Sequence, residues 1–139
     1  MLKKICIFSI LSISSVLSAV TLTWAIDLEP GKYEIIATVK MPAIASGMPP
    51  QVTTQCMNEQ TPVPDAGVEG CKIIDMKTIG KTATYTMQCD RQGMKIKSTG
   101  KVTYDKNSFE GTTQTSMGPA SGNMVITTVI KGKRIGKCD

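Results

Sequence analysis

The chain contains no histidine. That absence removes Ser-His-Asp and Cys-His catalysis, imidazole acid–base chemistry and the commonest metal ligand together. Tryptophan is nearly absent: Trp24 stands alone, beside three tyrosines and two phenylalanines. A core this poor in aromatic rings is light, and a small domain with a light core usually needs covalent staples. No stretch after residue 25 carries a convincing 3.6-residue apolar period, so at most one helical turn is expected, within "MNEQTPVPDAGVEG", where Pro62 and Pro64 limit it. There is no phosphate-cradling glycine loop and no dinucleotide fingerprint. The acidic residues are scattered. One pair has some chemical interest, Asp75 facing Tyr85 across a hairpin, because a carboxylate beside a phenol can move protons. An ordinary cross-strand contact is the simpler reading. The expectation is a non-catalytic protein without a cofactor or a metal centre.

What is present begins with a targeting segment. Lys3 and Lys4 precede an apolar stretch from Ile5 to about Val20, and Thr23-Trp24-Ala25 supplies a small-residue exit. This is the order of a secretory signal peptide, residues 1–25, leaving one domain over residues 26–139. The apolar stretch is short for a full span, so no stable membrane span is expected in the mature form. Cys6 lies too early for a lipid-modified cleavage site. The expected location is periplasmic or secreted. The net charge of +5 falls to +3 once Lys3 and Lys4 leave. That mild excess is no nucleic-acid footprint.

Four of the five cysteines remain after cleavage: Cys56, Cys71, Cys89 and Cys138. An even number in a short exported chain reads as two disulfides. The strand pattern helps to choose among the three connectivities. "KYEIIATVK", "TATYTMQC" and "MKIKSTGKVTY" alternate apolar or small residues with Lys and Thr, the pattern of half-buried antiparallel strands. A three-residue turn Ile79-Gly80-Lys81 sets Cys71 opposite Cys89, within disulfide reach. Cys56–Cys138 then follows by elimination. Cys56–Cys71 with Cys89–Cys138 remains the alternative. "DRQG" suits a four-residue turn pairing Cys89 with Met94, and "DKNS" pairs Tyr104 with Phe109. The expected fold is all-β: an antiparallel meander of about seven strands, curled into a small barrel or a strongly bent sheet. Its inner face mixes Ile and Met with Ser98, Gly100, Gly111, Thr113, Thr115 and Thr128.

Eight methionines follow Met1. Thioethers are soft ligands suited to Cu(I), yet half of these alternate inward on strands, where Met simply fills space. Met41 and Met48, in the loop "MPAIASGMPP", and Met117 and Met124, flanking "GPASGN", are freer, but they lack dense short spacing. That uncharged loop also holds Ile44 and Pro49. A loop so apolar tends to cover something, so Met41, Ile44, Met48, Pro49, Met117 and Met124 form a candidate lid or ligand contact. Lys95, Lys97 and Lys101 share one outer strand face, and Lys131, Lys133, Arg134 and Lys137 cluster near the C-terminus. They suit an anionic surface, although a solvated face that guards against edge pairing is the ordinary reading. No aromatics interleave with them, so single-stranded nucleic acid is not an expected partner.

"EPGKYEIIATVKMP", "GMPPQVTTQC", "CKIIDMK", "SFEGT" and the ending "KGKRIGKC" follow one another in an order that resembles the domain-of-unknown-function family numbered 3617, small exported bacterial proteins. The resemblance spans essentially the whole mature chain. It implies export, an all-β domain and the disulfide framework, and brings no activity and no catalytic residues. Two functions are expected. One is a module binding an apolar or amphipathic small ligand inside the curled sheet. The other is an envelope protein with a filled core that contacts another protein or the cell surface. Cu(I) binding through methionines ranks third.

Overall fold

The computed structural model describes residues 26–44, 46–64 and 69–139. The proposed signal peptide lies outside these residues. Seven strands form: β1 (Gly31–Lys40), β2 (Gln51–Met57), β3 (Cys71–Ile79), β4 (Thr82–Arg91), β5 (Met94–Asp105), β6 (Ser108–Ser116) and β7 (Val125–Gly136). One 3-10 turn, Pro119–Ser121, joins β6 to β7, and no α-helix forms among the described residues.

All seven strands lie in one antiparallel sheet, in the order β2-β1-β7-β6-β5-β4-β3. The chain ends are therefore joined, since β1 pairs with β7 from Lys32↔Gly136 to Lys40↔Thr127. The sheet opens at a different seam. β2 and β3 are its two edges and do not pair, so the expected barrel is not closed. The chain between them explains the seam. The Asn58 side-chain oxygen accepts from the amides of Gln60 (2.8 Å) and Thr61 (2.9 Å), turning the chain off β2. Pro62 has no amide to give to a ladder. Pro62 and Val63 pack inside instead.

Three hairpin turns set the faces. Gly80 (φ 59°) and Lys81 join β3 to β4, with Ile79 opposite Thr82; a glycine with positive φ at the first turn position is what a type II′ turn requires. Gln92 (φ 52°) and Gly93 (φ 77°) join β4 to β5, so Arg91 pairs with Met94 and Cys89 with Ile96. The "DRQG" expectation misplaced this register by two residues, which leaves every side chain on its expected face. Tyr104↔Phe109 and Asp105↔Ser108 agree with the "DKNS" expectation.

The β3–β4 turn is one residue shorter than expected. A bulge between Ile73 and Asp75 absorbs the difference, and Cys71 still lies opposite Cys89. The disulfides are Cys71–Cys89 and Cys56–Cys138, closing sequence separations of 18 and 82 residues. Beyond the bulge, Asp75 pairs with Thr86, and Met76 takes the place opposite Tyr85. The Asp75–Tyr85 pair therefore does not form.

One face of the sheet carries the core. Tyr33, Ile35, Met57, Ala83, Tyr85, Met87, Val102, Tyr104, Phe109 and Ile130 are all buried. Packing is densest at the end formed by the start of β1 and the β5–β6 turn. Phe109 sits between Tyr33 (ring centroids 5.7 Å apart) and Tyr104 (6.3 Å). Burying each such ring contributes about 2–3 kcal/mol. Gly132 makes room, because a Cβ there would enter the Phe109 ring. Gly100 does the same for Tyr85. The two flanking segments cap this closed end. Tyr33 donates to the carbonyls of Glu29 (2.7 Å) and Lys106 (3.0 Å), and Tyr104 donates to Pro62 O (2.7 Å). Leu28 and Val63, one from each segment, are buried beneath them.

Candidate functional site

Along the same face, toward the other end, residue types change. The ring-bearing positions give way to Ala37, Thr53, Ser98, Thr113, Thr115 and Thr128. Small and branched side chains cannot fill the width that rings fill. A cavity of about 370 Å³ remains, lined by residues from all seven strands. That shared lining is what shows the sheet to be strongly bent: residues of both edge strands, Thr53 and Cys71, line one space.

The lining has three chemical parts. Ile35, Ala37, Met87, Ile96 and Ile130 supply apolar surface. Gln51, Thr53 and Gln55 come from β2, and Ser98, Thr113, Thr115 and Thr128 from the sheet's middle. Two hydroxyl pairs are already satisfied across strands: Tyr85 with Thr113 (2.7 Å) and Ser98 with Thr115 (2.8 Å). Arg91 supplies the remaining chemistry, as the one charged side chain in the lining among the described residues. The Cys71–Cys89 disulfide forms part of the wall. Among the described residues no buried side-chain nitrogen or oxygen lacks a hydrogen-bond partner.

The expected lid residues lie elsewhere. The Met41–Pro50 loop leaves β1 after Lys40 and enters β2 at Gln51, which lines the cavity, so the loop starts and ends at the mouth. The β6–β7 connection lies at the same end, where Met117 N donates to Met124 O at 3.0 Å. Yet none of Met41, Ile44, Met48, Pro49, Met117 or Met124 lines the cavity. Ile44 and Met48 are solvent-exposed. A short internal bond, Gly47 N to Ile44 O at 3.1 Å, turns the loop back on itself.

The basic residues also divide. Lys95, Lys97 and Lys101 occupy the convex face of β5, and Lys131 and Lys133 that of β7. Strand β6 separates the groups and places Glu110 beside Lys131. Arg134 departs from them. It follows Ile130 and Gly132 in the strand's alternation and lies opposite Tyr33, so it falls on the concave face. There Nε donates to Pro30 O (3.1 Å), and the guanidinium lies 3.8 Å from the Glu29 carboxylate.

Sequence reasoning missed Arg91 and the three β2 lining residues. The "DRQG" expectation places Arg91 within a turn. It shares the alternation of Ala83, Tyr85, Met87 and Cys89, and a two-residue Gln92-Gly93 turn would have placed it on that face. Among the described residues no group of three or more Cys, Asp or Glu side chains is arranged to hold a metal ion. No helix among them is long and apolar enough to cross a membrane.

Fold and site together define a small disulfide-bonded all-β domain, one bent sheet with a packed end and a hollow end. Residues 28–138 match the family model described as "Protein of unknown function (DUF3617)", and the chain belongs to that family. No match was found among curated proteins, and none among solved structures.

Proposed function

We propose that this is an exported, non-catalytic binding module that holds a small apolar or amphipathic ligand in the hollow end of its sheet. The observation that carries this reading is the cavity of about 370 Å³, with apolar and hydroxyl groups on one concave surface. That volume falls within the ~300–1,000 Å³ typical of small-molecule sites. Two disulfides suit an oxidising compartment such as the periplasm or the cell exterior. The test is native mass spectrometry of protein purified from its own compartment, followed by solvent extraction. A co-purifying small molecule of defined mass is expected. A clean apo mass, with no displacement of an apolar fluorescent probe by any extracted lipid, would overturn the reading.

A second reading, contact with another envelope protein, draws on β2. This edge strand carries no charge, and its exposed Val52 neighbours exposed Ile36 on the convex face. Uncharged edges accept added strands readily. Crosslinking in cells from a photoreactive residue at position 52 distinguishes this reading by capturing a defined protein. The copper reading rests only on two methionine-bearing connections at one end, and Cu(I) titration against a competing chelator tests it.

A further inference from the structure

We infer that the ligand carries an anionic head and that Arg91 holds it; this rests on the hollow end being the ligand site. Among the described strand residues the concave face carries two charges, Arg91 and Arg134, and no carboxylate. They are treated differently. Arg134, at the packed end, has the Pro30 carbonyl and the Glu29 carboxylate. The Arg91 side chain, at the hollow end, has no hydrogen bond or ion pair among the described residues. Asp90, the adjacent acid, alternates to the convex face, where its cross-strand neighbour is Lys95. It does not compete for Arg91.

Position adds to charge. Arg91 is the last residue of β4, and Tyr85, Met87 and Cys89 precede it along the same wall. Six residue steps lead from Tyr85 to Arg91, on the order of 20 Å at the usual rise. That length accommodates an extended medium-length acyl chain with room to spare. A tail lying along Met87, Ile35 and Ile130 would end with its head at the Arg91 guanidinium. A guanidinium offers paired N–H donors that match a carboxylate or a phosphate, and such charge-assisted bonds are stronger than neutral ones. The hydroxyls of Ser98, Thr113 and Thr115 are occupied with cross-strand partners or lie deeper. The recognised class is therefore a single-chain amphiphile with an acidic head.

Calorimetric titration of the intact disulfide-bonded protein tests this with laurate, lauryl phosphate, dodecanol and dodecyltrimethylammonium, which share one tail and differ in head. The two anions are expected to bind at least about tenfold more tightly than dodecanol, the cation most weakly of all. Their ratio tells a free carboxylate from a phosphate head. Arg91→Gln removes the preference, weakening the two anions far more than dodecanol; Arg91→Lys restores part of it. Added salt weakens the anions selectively. Equal binding of laurate and dodecanol, unaltered by Arg91→Gln, overturns the anion assignment and leaves the hollow-end site standing. No binding of any probe overturns both. Arg91 is solvent-exposed, and unchanged thermal unfolding verifies that its variants fold.

Discussion

The two ends of the concave face share the same strands but not the same side chains. At the packed end Tyr33, Tyr104 and Phe109 meet within ring-contact distance, and two connecting segments close over them with hydrogen-bonded carbonyls. At the hollow end the same strands present Ala37, Thr113, Thr115 and Thr128, and space remains. Each end has one disulfide: Cys56–Cys138 lies beside the start of β1, and Cys71–Cys89 lines the hollow wall. Strand alternation decides which face is inward; ring size along each strand decides where that face is filled. The packed end holds the domain together, and the hollow end is left unfilled.

The largest expected effects separate the two disulfides. Replacing Cys56 and Cys138 with serine removes the longer closure and should cost about 4–5 kcal/mol; replacing Cys71 and Cys89 should cost about 3, both by the chain-entropy model. Denaturant unfolding of the two double variants measures the order. The second pair should also weaken laurate binding, because it forms wall. A reversed order in stability would mean that the packed end does not depend on the longer closure. Side-chain truncation sharpens it further. Phe109→Ala should cost about 3–5 kcal/mol, as large ring-to-alanine changes in cores do. Thr128→Val, at the hollow end, should stay within about 0.5 kcal/mol.

A smaller effect concerns Tyr104. Tyr104→Phe leaves the Pro62 carbonyl without its donor and should cost about 1–2 kcal/mol near neutral pH. Burial first, and the neighbouring Tyr85 second, raise the Tyr104 pKa above the ordinary tyrosine value of 10.0. The folded value exceeds the unfolded one, so the folded state binds the proton more tightly. The contribution is fully present below pH 10 and is lost as pH rises toward the folded value. The slope is about 1.4 kcal/mol per pH unit. Denaturant midpoints measured above pH 10 should fall less steeply for Tyr104→Phe than for the parent chain. Tyr33, raised mainly by burial, adds a loss in the same direction in both proteins.

Much of this was legible in the sequence. Alternation assigned Tyr33, Ile35, Tyr85, Val102 and Tyr104 to one face, because a period of two survives any even error in register. The cross-strand place of Cys71 opposite Cys89 was legible for a similar reason, since a shorter turn and a bulge cancelled. The seam was not. Pairing of β1 with β7 and the gap between β2 and β3 depend on where a proline-rich connection packs, which local patterning does not encode. An assumed turn length hides Arg91, whereas Arg134 alternates with Ile130 and Gly132, so parity alone sets it apart from Lys131 and Lys133. The hollow itself was only half legible: small inner residues were visible, but the volume they leave depends on how far the sheet bends.

The most direct test compares two buried methionines on the concave face. Met87 lines the cavity at the hollow end, whereas Met57 sits at the packed end, only 1% exposed. With methyl-labelled methionine, NMR spectra recorded during titration with laurate report both sites at once. If the hollow end is the ligand site, the Met87 methyl resonance shifts saturably and that of Met57 stays in place. Saturable shifts confined to Met41, Met48, Met117 or Met124, with Met87 unmoved, would contradict that site.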